Sequence, residues 1–568
     1  MATSLREKVI NLLVESRGID RKKLEDLLRS PRARNRTLGQ ILTEEKLITQ
    51  QDLLAVLSKG LAIPTIRLAR YKLDPALAEL VPERIAKQYR LVPVSRLGKT
   101  LSVAMADPLN VLALDDLAML TSLEISPVIA GEKEVDLAIR NLYQSAADQL
   151  EAFLEAAPTE EGEAAGAESE EVMELTAFGM EGKRAPIVKV VDLMIGEAVR
   201  ARASDIHVEP YEEEVRVRYR VDGSLQDAFR VAKRFQSAFL TRLKIMAQMD
   251  ITESRMPQDG RFKARLENKE IDFRVSALPI SFGNKVVMRL LDKGNLSLGL
   301  DQLGLLPDSL AAFKKATSRP YGMILVTGPT GSGKSTTLYS VLAEMNQPGR
   351  NILTVEDPVE YQLDGVTQVQ VNPEIGLTFA SVLRSFLRQA PDVVLVGEIR
   401  DGETADIAIK ASLTGQIVLS TLHTNDAATS ITRLTDMGVD PFLLSSSLIF
   451  VAAQRLCRQI CTRCRIPDEA GPEKLKSLGV KLPAGQVIYR GKGCTYCRKT
   501  GFRGRFAILE AMLVDDRVRE MIIAQRTPDE VKAYCAEHGM RSLRQEGLEH
   551  CLAGRTTPEE VVRVTSEE

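Results

Sequence analysis

The stretch 324-ILVTGPTGSGKSTT-337 decides the fold of this chain, because it places a glycine-rich loop between a strand and a helix. Ile324 to Thr327 are apolar or β-branched and predict a buried parallel strand, and Lys334-Ser335-Thr336 opens a helix. Glycines 328, 331 and 333 let backbone N–H groups turn towards an anion, and the helix N-terminus adds partial positive charge. The stretch therefore predicts a nucleoside triphosphate site.

Individual roles follow from phosphate chemistry. We expect Lys334 to reach the β- and γ-phosphates and the Ser335 hydroxyl to ligate Mg²⁺. The residues expected to line the nucleotide are Gly328, Pro329, Thr330, Gly331, Ser332, Gly333, Lys334, Ser335 and Thr336.

Length and composition limit the class of protein. A chain of 568 residues is too long for one core and predicts about three or four domains. Lys and Arg (75) balance Asp and Glu (77), so no general affinity for polyanions is indicated. No apolar run approaches the ~20 residues of a membrane span, and the N-terminus lacks the apolar core of a signal peptide. We therefore expect a cytosolic protein whose seven cysteines are thiols or metal ligands.

Shifts in composition divide the chain. Segments 12–28 and 41–57 repeat weakly, although simple helical packing explains that pattern as well. Residues 151–174 hold nine glutamates and no basic residue, which is typical of a flexible tether and less so of an acidic docking tail. The predicted regions are a helical repeat region (1–60), a small α/β domain (61–145), an acidic linker (146–184), a middle domain (185–297), and a C-terminal motor domain (298–568) with a cysteine insert (457–500) and a helical tail (503–568).

The middle domain is rich in arginine. Strand-like segments carry arginines at positions 216, 218, 220, 255, 261, 274 and 289. Alternating arginine on a strand usually marks a solvated face. Arginines that reach the phosphates of a neighbouring subunit are the alternative. A glycine-containing segment, 291–300, predicts a hinge to the motor domain.

Acids and a histidine follow three further apolar runs. The runs 352–355, 393–396 and 417–420 should be parallel strands of one sheet, so the residues after them meet at its carboxyl edge. We assign Glu398 to Mg²⁺, as in a Walker-B arrangement, and prefer Glu360 over Glu356 for orienting the attacking water. His423 fits a γ-phosphate sensor and a structural residue about equally.

These motifs resemble those of the type II secretion and type IV pilus assembly ATPases. The likeness is carried by GPTGSGKST (328–336), TVEDPVEY (354–361), LRSFLRQAPDVVLVGEIRD (383–401), STLHTNDAATS (420–430), ASDIHVEP (203–210), RVRYRVDG (216–223) and PQDGR (257–261). It implies a RecA-like P-loop motor domain, a PAS-like α/β middle domain and a homo-hexamer that hydrolyses ATP with Mg²⁺ in the cytoplasm. It also implies coupling to an inner-membrane platform protein, which would make the chain peripheral to the membrane.

The resemblance also implies where the middle-domain arginines lie, and this chain departs from the family pattern in two motifs. It implies nucleotide between the middle and motor domains, with Arg261, Arg274 and Arg289 closing on the phosphates. The family's histidine motif commonly begins Thr-Gly-His, whereas this chain has Thr414-Gly415-Gln416, so His423 must serve alone. The N-terminal region resembles a cyclic di-GMP-binding domain, but only Arg36-Thr37-Leu38-Gly39 keeps a trace of its motif.

Two C-x-x-C pairs predict a zinc site. Cys461 and Cys464 are separated by 29 residues from Cys494 and Cys497, a spacing typical of a closed tetrahedral tetrathiolate site. Many members of the resembled family carry such an insert. A redox role is disfavoured because two such pairs lie outside any thioredoxin-like pattern. Cys457 is a buried thiol or a substitute ligand.

Two other functions compete with the assembly motor. A retraction ATPase of the same superfamily is disfavoured by the cysteine insert and the long N-terminal region. A RecA-like nucleic-acid translocase should offer a basic, aromatic-bearing groove, and the motor segment shows none, so we expect no nucleic-acid partner. The sequence does not discriminate between pilus extension and type II secretion.

Overall fold

The computed structural model describes residues 63–68, 71, 73–74, 77–78, 80–106, 110–143, 173–174, 186–266, 269–292, 299–479 and 485–566. The predicted helical repeat region, Arg36 to Gly39, nearly all of the acidic linker and most of the predicted hinge lie outside the described residues. The chain divides into two compact units, 1–160 and 161–568, and each is taken by itself.

The described part of the first unit contains a three-stranded sheet and three α-helices. Its elements are α1 (Glu83–Tyr89), β1 (Leu91–Leu97), β2 (Thr100–Met105), α2 (Val111–Thr121), β3 (Glu124–Ile129) and α3 (Glu132–Tyr143). Strand β2 pairs antiparallel with β1 across the Gly98-Lys99 turn and parallel with β3. The predicted order of two strands, a helix, a strand and a helix is confirmed. Val92, Leu101 and Leu117 are fully buried in its core.

The second unit begins with the middle domain, a seven-stranded sheet packed against two helices. Its elements are β4 (Met173–Glu174), α4 (Pro186–Arg200), β5 (Ala203–Pro210), β6 (Glu214–Val221), β7 (Ser224–Ala232), α5 (Gln236–Met246), β8 (Gln258–Leu266), β9 (Lys269–Ile280) and β10 (Gly283–Asp292). The strand order is β4-β8-β9-β10-β5-β6-β7.

Strand β6 shows how its sequence sets the two faces of this sheet. Val215, Val217 and Tyr219 are fully buried, whereas the intervening arginines point to the other face. The predicted hairpin turn joins β6 to β7, with positive φ at both Asp222 (49°) and Gly223 (84°). The alternating arginines therefore line the face opposite the helices.

The motor domain is built on a second seven-stranded sheet. Its strands are β11 (Gly322–Thr327), β12 (Ile352–Glu356), β13 (Thr367–Gln370), β14 (Val393–Val396), β15 (Ile417–Leu422), β16 (Leu448–Ile460) and β19 (Phe502–Leu513). Their order is β13-β12-β14-β15-β11-β16-β19, and all neighbours are parallel except the antiparallel pair β16–β19. The four strands predicted around the phosphate loop are confirmed, and their carboxyl ends share one edge.

Helices cover both faces of this sheet. They are α6 (Pro307–Thr317), α7 (Lys334–Met345), α8 (Phe379–Phe386), α9 (Gly402–Leu413), α10 (Thr429–Asp436), α11 (Pro441–Ser447), α13 (Asp516–Ile523), α14 (Pro528–Glu537), α15 (Leu543–Leu552) and α16 (Pro558–Val564). Between β16 and β19 lies a small module with β17 (Arg465–Pro467), α12 (Gly471–Ser477) and β18 (Tyr489–Gly491). Leu325 and Val355 face one apolar core and Ile324 and Val326 face the other.

The prediction that the tail is helical from residue 503 is wrong up to residue 513. Phe502–Leu513 forms β19, the antiparallel strand at one end of the motor sheet. Its central residues, Phe506 to Glu510, are buried in succession because both faces of the sheet are covered. Such a run has no alternation of apolar and polar residues, which removes the usual sign of a strand. The remainder of the tail is helical as predicted.

Among the described residues, no helix is both long enough and apolar enough to span a bilayer.

Candidate active site

The phosphate loop lies between β11 and α7, as the motif requires. The Lys334 side chain is 9% exposed, and its Nζ donates hydrogen bonds to the carbonyl oxygens of Gly328 (2.8 Å) and Pro329 (3.2 Å). Burial lowers the pKa of Lys334, and the nearby Glu398 carboxylate partly offsets this effect. The ammonium is thus already held inside the loop, while Ser335 is exposed on the first turn of α7.

A buried glutamine on β16 braces the loop. Gln454 Nε2 donates to the Ser332 carbonyl oxygen, and Gln454 Oε1 accepts from Thr337 Oγ1, both at 2.8 Å. Gly333 has φ 90°, and a Cβ there would lie 2.9 Å from Gln454 Nε2. The loop therefore requires glycine here for its backbone conformation and for the close approach of the brace.

Glu398 and His423 meet at the carboxyl ends of β14 and β15. His423 Nε2 lies 3.5 Å from Glu398 Oε2, and the Arg400 guanidinium pairs with the other carboxylate oxygen of Glu398. Arg400 also lies 3.9 Å from Asp357, which follows β12. The side chain of Glu398 is 14% exposed, whereas that of His423 is 53% exposed. A carboxylate so placed beside the phosphate loop is suited to hold a divalent cation.

Glu356 and Glu360 have different environments. Glu356 is buried, and its carboxylate accepts hydrogen bonds from Tyr339, Thr354 (2.5 Å) and Gln368 (3.2 Å). The Glu360 side chain is 38% exposed, and its described partner is an arginine of the middle domain. Glu356 is occupied by structural hydrogen bonds, so Glu360 is the carboxylate with oxygen atoms available to a water molecule.

The three arginines assigned to the phosphates lie in one row across the middle-domain sheet. Arg261 pairs directly with Arg274, and Arg274 with Arg289, on the adjacent strands β8, β9 and β10. Directly paired residues on antiparallel strands point to the same face, so the three side chains share one face. The register thus brings together residues that the sequence separates by up to 28 positions.

The three guanidinium groups have different partners. Arg274 Nη2 donates to the Val359 carbonyl oxygen (3.2 Å), and Arg274 Nη1 lies 3.7 Å from Glu360 Oε2. Arg289 Nε instead donates to Asp205 Oδ1 (3.0 Å) within the sheet, and Arg261 is exposed. Of the three, Arg274 is the one that contacts the motor domain in this structure.

The four cysteines converge as predicted. Their sulfur atoms all lie within 4.8 Å of one another, with Cys461–Cys494 at 3.9 Å and Cys464–Cys497 at 3.8 Å. Tetrahedral ligands at ~2.3 Å from Zn²⁺ are separated by about 3.8 Å, so the sulfur positions fit this metal. Cys457 is not in the cluster; it is fully buried in the motor core, where burial raises the pKa of its thiol to about 12.

Backbone groups support the cysteine cluster. Cys497 Sγ accepts hydrogen bonds from the N–H groups of Cys494 (3.2 Å) and Gly501 (3.3 Å). Burial opposes ionisation of Cys497, but these hydrogen bonds outweigh it and lower the pKa of the thiol to about 7. A Cβ on Gly491 would lie 2.0 Å from the Gly501 carbonyl oxygen, so the two chain segments approach too closely for any other residue. The turns place a thiolate donor where a metal needs one.

Sequence reasoning missed Gln454, Tyr339 and Arg400. A polar Gln-Arg pair inside the apolar run of β16 was a usable signal, because a buried polar side chain needs a partner. Nothing in the sequence shows that this partner is the phosphate loop, 122 residues away.

The chain resembles known proteins both in its domains and over its whole length. A family model described as "Type II/IV secretion system protein" matches residues 180–563, and an MshEN domain matches residues 61–149. The type IV pilus assembly ATPase PilB of Myxococcus xanthus is 44% identical over 560 residues, which cover 98% of each chain. The type II secretion system protein E of Xanthomonas campestris pv. campestris is 38% identical over 575 residues, which cover 99% of each chain.

A solved structure shares the fold. The ATPase DotB of Legionella pneumophila matches with a TM-score of 0.51 at 20% identity, covering 70% of this chain and 100% of that one. The fold class predicted from the sequence is confirmed: an α/β chain with a RecA-like motor, a tetracysteine cluster and a further N-terminal domain.

Proposed function

The chain belongs to the family of type II/IV secretion system proteins and is an ATP hydrolase, and we propose that it is a hexameric motor that assembles pilin or pseudopilin filaments at the inner membrane. Full-length relatives carry both names, pilus assembly and type II secretion, so the proposal covers both kinds of filament.

One observation carries the proposal. The phosphate loop, Glu398 and His423 share the carboxyl edge of the motor sheet, and Arg274 of the middle domain reaches Glu360 at that same edge. A nucleotide held there lies between two domains, so its hydrolysis changes what holds those domains together. That is the requirement for converting ATP hydrolysis into movement.

The proposed roles follow the geometry. Lys334 and the backbone N–H groups of residues 328 and 330–336 would hold the phosphates, and Ser335 and Glu398 would hold Mg²⁺, which neutralises charge on the β- and γ-phosphates when bound. Glu360 orients the attacking water, and His423 hydrogen-bonds across the site beside Glu398. Arg274, with Arg261 and Arg289 in the same row, offsets negative charge from the middle-domain side.

Zinc in the tetracysteine cluster is part of the proposal. Cys461, Cys464, Cys494 and Cys497 are all sulfur donors, and a closed tetrathiolate site is structural rather than catalytic. Zinc there would fix the module between β16 and β19, whose small apolar core is shared with α15 and α16.

The proposed assembly is a ring on the cytoplasmic side of the membrane. Six copies would close and open out of phase against an inner-membrane platform protein, and that motion would draw filament subunits from the bilayer. The proposed middle domain is 185–297 and the proposed motor domain is 298–568, as read from the sequence, with the helical tail beginning after β19.

ATPase assays of the purified protein test the activity and its site together. We expect Lys334→Ala to remain folded but to lose hydrolysis, because its ammonium meets the phosphates and its partners here are two loop carbonyls. The matched control is Lys410→Ala, an exposed lysine that pairs with Asp406 on α9. Hydrolysis by Lys334→Ala at the wild-type rate would refute the phosphate-loop assignment. Complementation of strains lacking either machinery would then identify the filament.

A further inference from the structure

The cysteine module contacts the middle domain through the residue that follows a cysteine of the cluster. Arg498 Nη2 donates to Glu197 Oε1 on α4 at 3.1 Å, and the Arg498 guanidinium carbon lies 5.8 Å from the ring centre of Tyr219 on β6. The Arg498 and Glu197 side chains are 32% and 20% exposed, so the pair is partly shielded from water. One arginine thus joins the module to a helix and a strand of the middle domain.

A second contact is made by β19, the motor strand that immediately follows the module. The Gly504 N–H donates to Asp222 Oδ2 (2.8 Å), and Arg505 Nε lies 3.9 Å from Asp222 Oδ1. Asp222 sits in the turn between β6 and β7. One polar contact therefore holds α4 and the other holds the β6–β7 turn, two neighbouring parts of the middle domain.

The seam between these contacts is incompletely filled. A cavity of about 280 Å³ lies along it, lined by Arg202 and Gln226 on one side and by Thr462, Tyr496 and Thr500 on the other. The contacts described between the two parts are directional hydrogen bonds, which suits a contact that forms and breaks.

The cysteine cluster fixes the direction of Arg498. Arg498 and Lys499 both have positive φ, 52° and 62°, which non-glycine residues adopt only when their surroundings hold them. The Lys499 N–H donates to the Cys494 carbonyl oxygen (2.8 Å), and the Gly501 N–H donates to Cys497 Sγ (3.3 Å). Hydrogen bonds to Cys494 and Cys497 therefore hold the backbone turn that contains Arg498.

We propose that the four-cysteine module is a docking element that holds the middle domain where Arg274 reaches Glu360, with Arg498, Glu197 and Asp222 as positioning residues. Strand β6 is three strands from β9, about 14 Å across a continuous hydrogen-bonded sheet. Holding β6 in place therefore also orients β9, which carries Arg274. This inference rests on the proposed zinc site and on the proposed role of Arg274.

A charge exchange tests it in the full-length protein. We expect Arg498→Glu to lower kcat about tenfold, the effect of losing one charge-assisted hydrogen bond, with KM for ATP changed less than about twofold. Glu197→Arg should lower kcat to a similar extent. The double variant Arg498→Glu/Glu197→Arg, in which the two charges are exchanged, should recover at least half of the lost kcat. If a charge-reversal variant fails to fold, the milder substitutions Arg498→Ala and Glu197→Gln take its place in the same measurements.

The matched control is Arg503→Glu. Arg503 lies on β19 just after the module, and its Nη1 donates to the Tyr496 carbonyl oxygen (2.8 Å) while its guanidinium stacks on the Tyr496 ring, so these contacts are to the module and not to the middle domain. It should keep kcat within about twofold of wild type. An equal loss in this control would show that only the net charge of the module matters, which would overturn the docking role.

Hydrogen exchange supplies a readout besides activity. Chelation of the metal from wild-type protein should speed amide exchange in α4 and in the β6–β7 hairpin, and Arg498→Glu should already show this with its metal bound. Unchanged amide hydrogen exchange in both proteins would overturn the inference. So would a failure of the Arg498→Glu/Glu197→Arg double variant to recover kcat. Absence of zinc, or normal turnover by Arg274→Ala, would instead show that the proposed function had failed.

Discussion

Replacing Gln454 by leucine removes the side chain that braces the phosphate loop, while every residue proposed to contact nucleotide stays unchanged. Gln454 is 1% exposed, and its amide makes both hydrogen bonds that tie β16 to the loop and to α7. Leucine has a similar volume but offers no donor or acceptor. The Ser332 carbonyl and the Thr337 hydroxyl would then stay buried without these partners.

The structure sets the size of the effect. Each buried polar group left without a partner costs about 1–3 kcal/mol, so the loss of both partners should cost the loop conformation about 2–6 kcal/mol. At about 1.4 kcal/mol per tenfold, ATP affinity should fall at least about 30-fold. Thr337→Val removes one of the two hydrogen bonds and should produce about half of the change in free energy.

Equilibrium binding of a fluorescent ATP analogue measures this effect without hydrolysis. Far-ultraviolet circular dichroism and metal content show whether each variant is folded. If folded Gln454→Leu binds ATP within about threefold of wild type, the brace does not shape the phosphate site and the reasoning is wrong.

Three further results are expected. Glu360→Gln should bind ATP normally but turn it over about 10²- to 10⁴-fold more slowly, and a normal single-turnover rate would move the water-orienting role elsewhere. Metal analysis should find about one zinc per chain, and Cys461→Ser should lose it and melt earlier; a stable metal-free protein would exclude a structural zinc. Burial raises the pKa of Glu546 from 4.5 to about 7, so its contribution to stability is complete below pH 4.5 and is lost as pH rises through 7. Glu546→Gln should therefore raise the melting temperature above pH 7 relative to wild type but not below pH 4.5, and equal shifts at both ends would refute that account.

The motor sheet was predictable where local signals were strong. The runs before Gly328, Asp357, Gly397 and His423 are short, apolar and followed by polar or glycine residues, and each became a parallel strand. Strand β19 was mistaken for helix because both faces of the sheet bury its central residues, so its sequence carries no period of two.

Contacts between distant residues were not predictable. The row formed by Arg261, Arg274 and Arg289 depends on strand register, which a single sequence does not state. The link between Arg498 and Glu197 joins positions 301 residues apart, and the bonds that occupy Glu356 come from Tyr339, Thr354 and Gln368. The chemistry of the side chains indicated the candidate site residues, but only the folded structure shows which of them are in contact.

The most direct test of the account is the turnover of Arg274→Ala at saturating ATP, because Arg274 is the middle-domain arginine that contacts the motor domain at Glu360. The control is Arg230→Ala, on the same sheet, whose guanidinium lies 3.3 Å from Glu214. We expect kcat to fall at least about tenfold in Arg274→Ala, with ATP binding retained, and to stay near wild type in the control. If Arg274→Ala hydrolyses ATP at the wild-type rate, the middle domain takes no part in hydrolysis and the account is contradicted.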